Sequence, residues 1–361
     1  MTRGGAMTWA VEAVARLRAE AASHGPTPLR ALPLPAFPDI EVHLKDESAQ
    51  PTGSVKHRLV RALYHRAIAG GHLGAGVPVV VGTAGAVAVA GAYFARLLGL
   101  PFTAVVPRGA PPAVRARIER EGGRWQLARQ PPAALGAEAA SVARDLGGHL
   151  LDHFAEATPA LAEHGGPSLA EEVLSQLRDT AHPTPRWLVT GAGTGATSAT
   201  CGRHLRAHSP GTRLAVVDPE HSAYFPGWAS DCADYATGMP SRIPGIGRPR
   251  IEPGFTPSVI DLVLPVPDGA SVAAMRWLDD RAGLAVGPAA GTGLWGACQL
   301  VRRMAEAGES GSVVTVAGDG AAPYRRTHLD AAWLAKRGLD PTPYEGTLER
   351  FATTGEWRAT P

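Results

Sequence analysis

Lysine is almost missing from this chain: of 361 residues, only Lys45, Lys56 and Lys336 are lysine. The excess of arginine, alongside abundant Ala, Gly and Pro, reads as a GC-rich coding bias and not as function. Cysteine is equally sparse. Cys201, Cys232 and Cys298 show no CxxC spacing, which excludes a disulfide framework and a structural zinc site. His182, His204 and His208 show no convergent ligand pattern, so no metal is expected. The formal net charge is only +2, without a basic block or interleaved aromatics, so nucleic acid is not an expected partner. No run of about 18 apolar residues exists, and the N-terminus lacks a basic-then-apolar signal pattern. No membrane association is expected, and a cytoplasmic location is the expectation.

What is present fits a soluble globular protein: 45% hydrophobic and 19% charged residues. The length exceeds what one core usually fills, so two domains are expected. Trp9, Val11, Val14 and Leu17 mark a helix over 7–23. A Pro-rich connector, 26–38, leads to a strand from Ile40 to Leu44. The chain then alternates. Strands are expected at 77–81, 102–106, 148–151, 187–190, 213–217, 260–264 and 312–317. Helices are expected at 54–70, 86–98, 112–121, 168–178, 196–207, 270–282 and 291–307. Residues 222–256 read as irregular. Such alternation means α/β architecture, parallel sheets flanked by helices.

Two local patterns carry chemistry. In Pro51-Thr52-Gly53-Ser54-Val55-Lys56, Pro and Gly suit a tight turn, and Ser54 suits a helix N-cap. Lys56 then falls in the first turn of a helix, where the positive helix end lowers an amine's pKa and raises its nucleophilicity. The plainer alternative is a solvated lysine beside Arg58. The second pattern is Gly191-Ala192-Gly193-Thr194-Gly195-Ala196-Thr197, directly after the apolar Trp187-Leu188-Val189. Strand, glycine loop, helix is the layout that points N–H groups at a phosphate, with Thr194 and Thr197 as further donors. A dinucleotide fingerprint also starts this way; its third glycine would fall on Ala196, and Asp218 is the candidate ribose partner. A reactive amine together with a phosphate cradle is what pyridoxal 5'-phosphate requires. His57, Tyr224, Phe225 and Trp228 read as structural, and Asp218, Glu220 and His221 as a solvated loop.

Five stretches together resemble the cysteine synthase family of pyridoxal-phosphate enzymes, and within it the branch of bacterial L-cysteine desulfhydrases. They are 44–58, 92–102, 191–197, Val216 to Glu220 and Arg242 to Pro249. The resemblance spans roughly residues 8 to 340. It implies the two-lobe tryptophan-synthase-β-like fold (fold type II), with the cofactor between the lobes, and a homodimer. The lobes are expected as 50–158, smaller and N-terminal, and 1–49 with 159–345, larger, leaving 346–361 as a tail. It makes Lys56 the Schiff-base lysine and 191–197 the phosphate loop.

The departures from the family pattern are specific. The family's carboxylate-binding Ser/Thr-Ser-Gly-Asn/Ser-Thr loop is here Thr83-Ala84-Gly85-Ala86-Val87. Only Thr83 and backbone N–H groups remain as donors for a substrate carboxylate, and Ala86 stands where a side chain would reach the cofactor ring. The Gln of an Asp-Gln-Phe run is His153. The Ser that partners the pyridine nitrogen is Ala289. The late Asp-Gly-Gly run is Asp319-Gly320-Ala321. Exchanging these donors for Ala and Val leaves an apolar floor with no stranded side-chain donor.

The expected activity is that of a lyase or β-replacement enzyme acting on a cysteine- or serine-like amino acid through an aminoacrylate. It includes the case of an altered substrate in a specialised pathway. The competing reading is a catalytically weakened homologue acting as a binding or regulatory partner.

Overall fold

The computed structural model describes residues 3–358, with side chains from residue 8 onward. From the N-terminus come α1 (Arg3–His24), β1 (Leu29–Leu32), β2 (Ile40–Asp46), α2 (Lys56–Ala69), β3 (Val79–Gly82), α3 (Ala86–Leu98), β4 (Phe102–Val106) and α4 (Pro112–Arg120). The middle of the chain forms β5 (Arg124–Leu127), α5 (Leu135–Asp145), β6 (His149–Leu150), α6 (Ala157–His164), α7 (Leu169–Leu177), β7 (Trp187–Gly191) and α8 (Ala196–His208). There follow β8 (Arg213–Pro219), α9 (Tyr224–Ala229), β9 (Leu262–Val266), α10 (Asp268–Ala282), α11 (Pro288–Glu306), β10 (Gly311–Ala317), α12 (Ala331–Lys336) and α13 (Thr347–Thr354). These elements form two compact units. The first takes the chain up to Pro26 and again from Gln50 to Gly166; the second takes Thr27–Ala49 and the chain from Pro167 onward.

The first unit is built on a four-stranded parallel sheet in the order β5-β4-β3-β6. Its central strand carries Val79, Val80 and Val81, all fully buried. A continuous β-branched run is what a parallel strand covered on both faces demands. One face packs Val80 and Val105 against Ala139 and Ala143 of α5. Helix α1 also belongs here, although the sequence reading assigned 1–49 to the larger lobe. Its inward residues Ala13, Leu17 and Glu20 are buried, and it packs on α2 and α3.

The second unit holds a six-stranded sheet in the order β1-β2-β10-β7-β8-β9. All neighbours are parallel except β1 and β2. Helix α11 lies against this sheet on a small-residue face: a Cβ at Gly296 would stand 2.3 Å from Val217 Cγ1, and one at Gly293 2.5 Å from Thr315 Oγ1. Trp295, Leu294 and Leu300 of the same helix fill the core with Val189, Val217 and Val313.

Several expectations are corrected. The connector 26–38 contains β1, an edge strand in which only Leu32 is buried, too little alternation to be read from sequence. Strand β5 is another exposed edge, and neither it nor α5 and α6 was anticipated. The stretch 222–256 contains α9. The expected tail, 346–361, holds α13, whose Leu348 and Phe351 are buried in the second unit's core. Trp357 packs edge-on against Trp295 at 4.8 Å between centroids.

Candidate active site

In the first unit, the turn before α2 forms as its residues dictate. Gly53 adopts φ +70°, the left-handed region open to glycine, and its N–H donates to the Gln50 carbonyl at 2.7 Å. Ser54 is not the N-cap; Val55 is. The Ser54 hydroxyl instead accepts the Lys56 N–H at 3.0 Å. Lys56 is the first residue of α2 and half-buried, and no acidic residue occupies the helix's first turn. Lys56 therefore starts at the positive end of the helix dipole.

His57, the next residue, turns inward. Its Nε2 lies 3.0 Å from Glu20 Oε1 and its Nδ1 3.3 Å from Thr52 Oγ1. The tautomer follows from these partners: Nε2–H donates to the carboxylate and Nδ1 accepts from the threonine hydroxyl. Burial holds the His57 pKa below the usual histidine value despite the carboxylate. Burial alone would raise Glu20, but its hydrogen bonds with His57 and Tyr93 and the charge of Arg61 bring it below the ordinary glutamate value. The pair is an ionised glutamate receiving a hydrogen bond from a neutral histidine. Tyr93 also donates to Glu20 Oε1, at 3.2 Å.

The remaining predicted residues of this unit lie at the carboxyl edge of its sheet. Thr83 and Ala84 follow β3, Gly85 is the N-cap of α3, and Ala86 and Val87 are its first residues. The Thr83 hydroxyl accepts the Gly85 N–H at 3.2 Å. The first N–H groups of a helix have no intrahelical acceptor, so this strand–turn–helix presents backbone donors where side-chain donors are missing. His153 follows β6, the strand paired with β3. It is buried and packs on Phe154 at 4.4 Å between centroids.

In the second unit, Gly191 ends β7 and Ala196 opens α8. Gly195 is the cap, at φ +82°, and a Cβ there would lie 2.3 Å from the Phe255 nitrogen; no other residue fits. A Cβ at Gly191 would meet Ile246 Cγ2 at 2.4 Å. The loop is held from outside as well: the Gly247 N–H donates to the Ala192 carbonyl at 2.8 Å, and the Tyr224 hydroxyl to the Gly193 carbonyl at 2.5 Å. Tyr224 stacks on Phe255 at 4.3 Å. It is thus a support of the glycine loop, a role not visible from its sequence context. Within the loop, Thr194 Oγ1 accepts the Ala196 N–H at 3.3 Å. No acidic residue lies in the first turn of α8. The loop fits a phosphate: a helix N-terminus with no acidic residue in its first turn, a backbone drawn in closely by glycine, and two threonines.

Asp218 is buried, not solvated. Its Oδ2 accepts the Phe225 N–H at 2.7 Å at the β8–α9 turn. Burial pushes its pKa up to about 6, against the pull of Ser222 and the Phe225 amide. Ala289 sits in the first turn of α11. Beside that turn, the Gly287 N–H donates to the Asp319 carbonyl at 2.9 Å, and the Tyr324 hydroxyl to Asp319 Oδ2 at 2.5 Å.

The other two lysines are placed otherwise. Lys45 is fully buried, and its ammonium donates to the Thr27 carbonyl at 2.7 Å, Gln176 Oε1 at 2.8 Å and Glu172 Oε2 at 2.9 Å. All three of its protons are committed. Lys336 is exposed at the end of α12.

A lysine at a helix start in one unit and a glycine loop fit for a phosphate in the other are two features that a pyridoxal-phosphate-dependent enzyme requires. The family described as "Pyridoxal-phosphate dependent enzyme" matches residues 21–319. The chain belongs to it, and its cofactor is pyridoxal 5'-phosphate. Among its relatives, L-cysteine desulfhydrase Cds1 of Mycobacterium tuberculosis is 44% identical, over 97% of this chain and 96% of that protein. N-(2-amino-2-carboxyethyl)-L-glutamate synthase of Ralstonia nicotianae is 29% identical, over 82% and 84%. A crystal structure of O-ureido-L-serine synthase superposes with a TM-score of 0.75 at 26% identity, over 88% of this chain and 98% of that one. The tryptophan-synthase-β-like fold expected from the sequence is the fold observed. Among the described residues, no helix is long and apolar enough to cross a membrane.

Proposed function

We propose that this enzyme eliminates the β-substituent of cysteine or a close serine-like amino acid. For cysteine the net reaction takes up one water and releases pyruvate, hydrogen sulfide and ammonia. The observation that carries this is the similarity to a cysteine desulfhydrase along almost the whole of both chains, in a protein where Lys56 stands at the start of a helix.

Lys56 is the amine that binds the cofactor's aldehyde. Lys45 has every ammonium proton committed to a buried acceptor, and Lys336 sits on the exposed end of α12. The 191–197 loop holds the phosphate, through N–H groups at the start of α8 and the hydroxyls of Thr194 and Thr197. Bound, the pyridoxal ring draws electrons from Cα, which makes the Cα proton removable and lets the β-substituent leave. Lys56 Nζ takes that proton as general base. Thr83 and the N–H groups at the start of α3 receive the substrate carboxylate, with Ala84, Gly85, Ala86 and Val87 shaping an apolar floor. His153 bounds the substrate position, and Ala289 offers the ring nitrogen no polar side chain. A homodimer and a cytoplasmic place of action complete this reading, on the family resemblance. The retained amine and phosphate loop support an active enzyme over a weakened homologue serving as a binding partner.

The test is the visible absorbance of the protein reconstituted with pyridoxal phosphate, followed by sulfide and pyruvate assays with cysteine. A coloured protein that loses its band in Lys56→Ala and releases sulfide and pyruvate in equal amounts is expected. A protein that stays colourless, or a Lys56→Ala variant that keeps both colour and sulfide release, overturns the reading. Turnover of a serine derivative only when a second nucleophile is added would move it from elimination to β-replacement.

A further inference from the structure

We infer that Glu20 and His57 are positioning residues for Lys56, an inference that rests on Lys56 being the cofactor's amine. Glu20 comes from α1, 37 residues before His57. Both side chains are buried, Glu20 with 7% and His57 with 1% of its surface exposed. A buried ionised carboxylate with an imidazole stabilises a helix pack no better than apolar side chains of the same volume would. What it adds is direction, because a hydrogen bond fixes an angle and an apolar contact does not.

The direction matters because of where His57 stands. Successive residues of a helix point about 100° apart around its axis. Pinning the His57 ring to Glu20 sets the rotation of the first turn of α2, and with it the side from which Lys56 leaves. The second nitrogen of the ring extends the constraint. Nδ1 accepts from Thr52, two residues before Ser54, whose hydroxyl accepts the Lys56 N–H. From the other flank, Arg117 of α4 donates to the Thr52 carbonyl at 2.6 Å. Tyr93 of α3, His24 of α1 and Arg61 of α2 also face Glu20, the last two at 3.7 and 3.8 Å. The lysine turn is therefore held from α1, α3 and α4, with the Glu20–His57 pair as its hub. Without that hub the first turn of α2 loosens, and Lys56 loses its place at the positive helix end.

The chain's scarcity of lysine makes this measurable without turnover. In the apoprotein, the rate at which each lysine reacts with an amine-directed acylating reagent is followed against pH by mass spectrometry. Lys45 serves as the buried control and Lys336 as the exposed one. Glu20→Leu and Thr52→Val are expected to raise the pH midpoint of Lys56 labelling. Its rate at neutral pH should fall about three- to fivefold, the size of a lost helix-terminus effect. Lys336 should be unchanged. Glu20→Gln, which keeps an acceptor for His57 Nε2–H, should stay within about twofold of the parent. Thr52→Val is nearly isosteric and leaves the Glu20–His57 pair intact, so it answers the question if Glu20→Leu fails to fold. An unchanged Lys56 midpoint in folded Glu20→Leu, or in Thr52→Val, overturns the inference. Peptide mapping of borohydride-reduced holoenzyme separately asks whether the cofactor sits on Lys56. A label elsewhere refutes the proposed site, while the apoprotein rates still decide the positioning.

Discussion

The Tyr224 hydroxyl donates to the carbonyl of Gly193 at 2.5 Å, tying α9 to the glycine loop proposed to hold the phosphate. This bond fixes the loop from its outer side, so it acts on the cofactor without touching it. Tyr224→Phe keeps the stacking on Phe255 and removes only the hydroxyl. We expect cofactor dissociation to rise about three- to tenfold, the worth of roughly 1 kcal/mol of lost preorganisation. Equilibrium titration of apoprotein with pyridoxal phosphate measures it, and an unchanged dissociation constant refutes the support role.

Gly195 permits no side chain. Its φ of +82° and the 2.3 Å approach of a Cβ to the Phe255 nitrogen both oppose Gly195→Ala. A strain of about 1–3 kcal/mol should be relieved by displacement of the loop. The variant should therefore lose cofactor affinity at least tenfold more than Tyr224→Phe does, as the same titration shows.

Asp218 links stability to pH. Its folded pKa, pushed up to about 6, lies above the ordinary value of 3.8. The folded state thus holds this proton more tightly than the unfolded chain does. The associated stability is fully present below pH 3.8 and is lost as pH rises through about 6, a penalty of about 3 kcal/mol at neutral pH. Asp218→Asn imitates the protonated form and should melt higher than the parent at pH 7.5, with the difference vanishing near pH 4. Equal melting temperatures at pH 7.5 would count against the raised pKa.

Lys45 is a structural cation, its ammonium bonded to Thr27, Glu172 and Gln176. Lys45→Met removes the cation shared by Glu172, Gln176 and the Thr27 carbonyl, the last of which still accepts from Gln176 Nε2, and breaking a mostly buried ion pair in this way costs about 3 kcal/mol. Denaturant unfolding should show that loss. If Lys56 is the cofactor's amine as proposed, the folded fraction should still bind the cofactor with its usual absorbance band.

Much of this was legible along the chain. The helix 86–98 and the strand 102–106 have the bounds expected, because each is a run of apolar residues ended by its own turn signal. Lys56 opens a helix as its Pro, Gly and Ser neighbours predicted, although the cap is Val55 and not Ser54. Edge elements escaped: β1 and β5 bury too few side chains to alternate visibly. Phe351 escaped because a short helix in a Pro- and Thr-containing terminus looks like a tail until a core receives it.

The sequence by itself determined the α/β alternation, the lysine turn and the glycine loop, since each rests on residues that are neighbours in the chain and on backbone preferences that act locally. Only the tertiary structure decided what surrounds them. It brought Glu20 to His57, Tyr224 to Gly193 and three acceptors to Lys45. It also buried Asp218, which the chain presents as an ordinary loop residue after a strand. These pairings span tens to more than a hundred residues, and no local pattern encodes them. They follow from which faces the helices and sheets must hide from water, and from the need of each buried polar group for a partner.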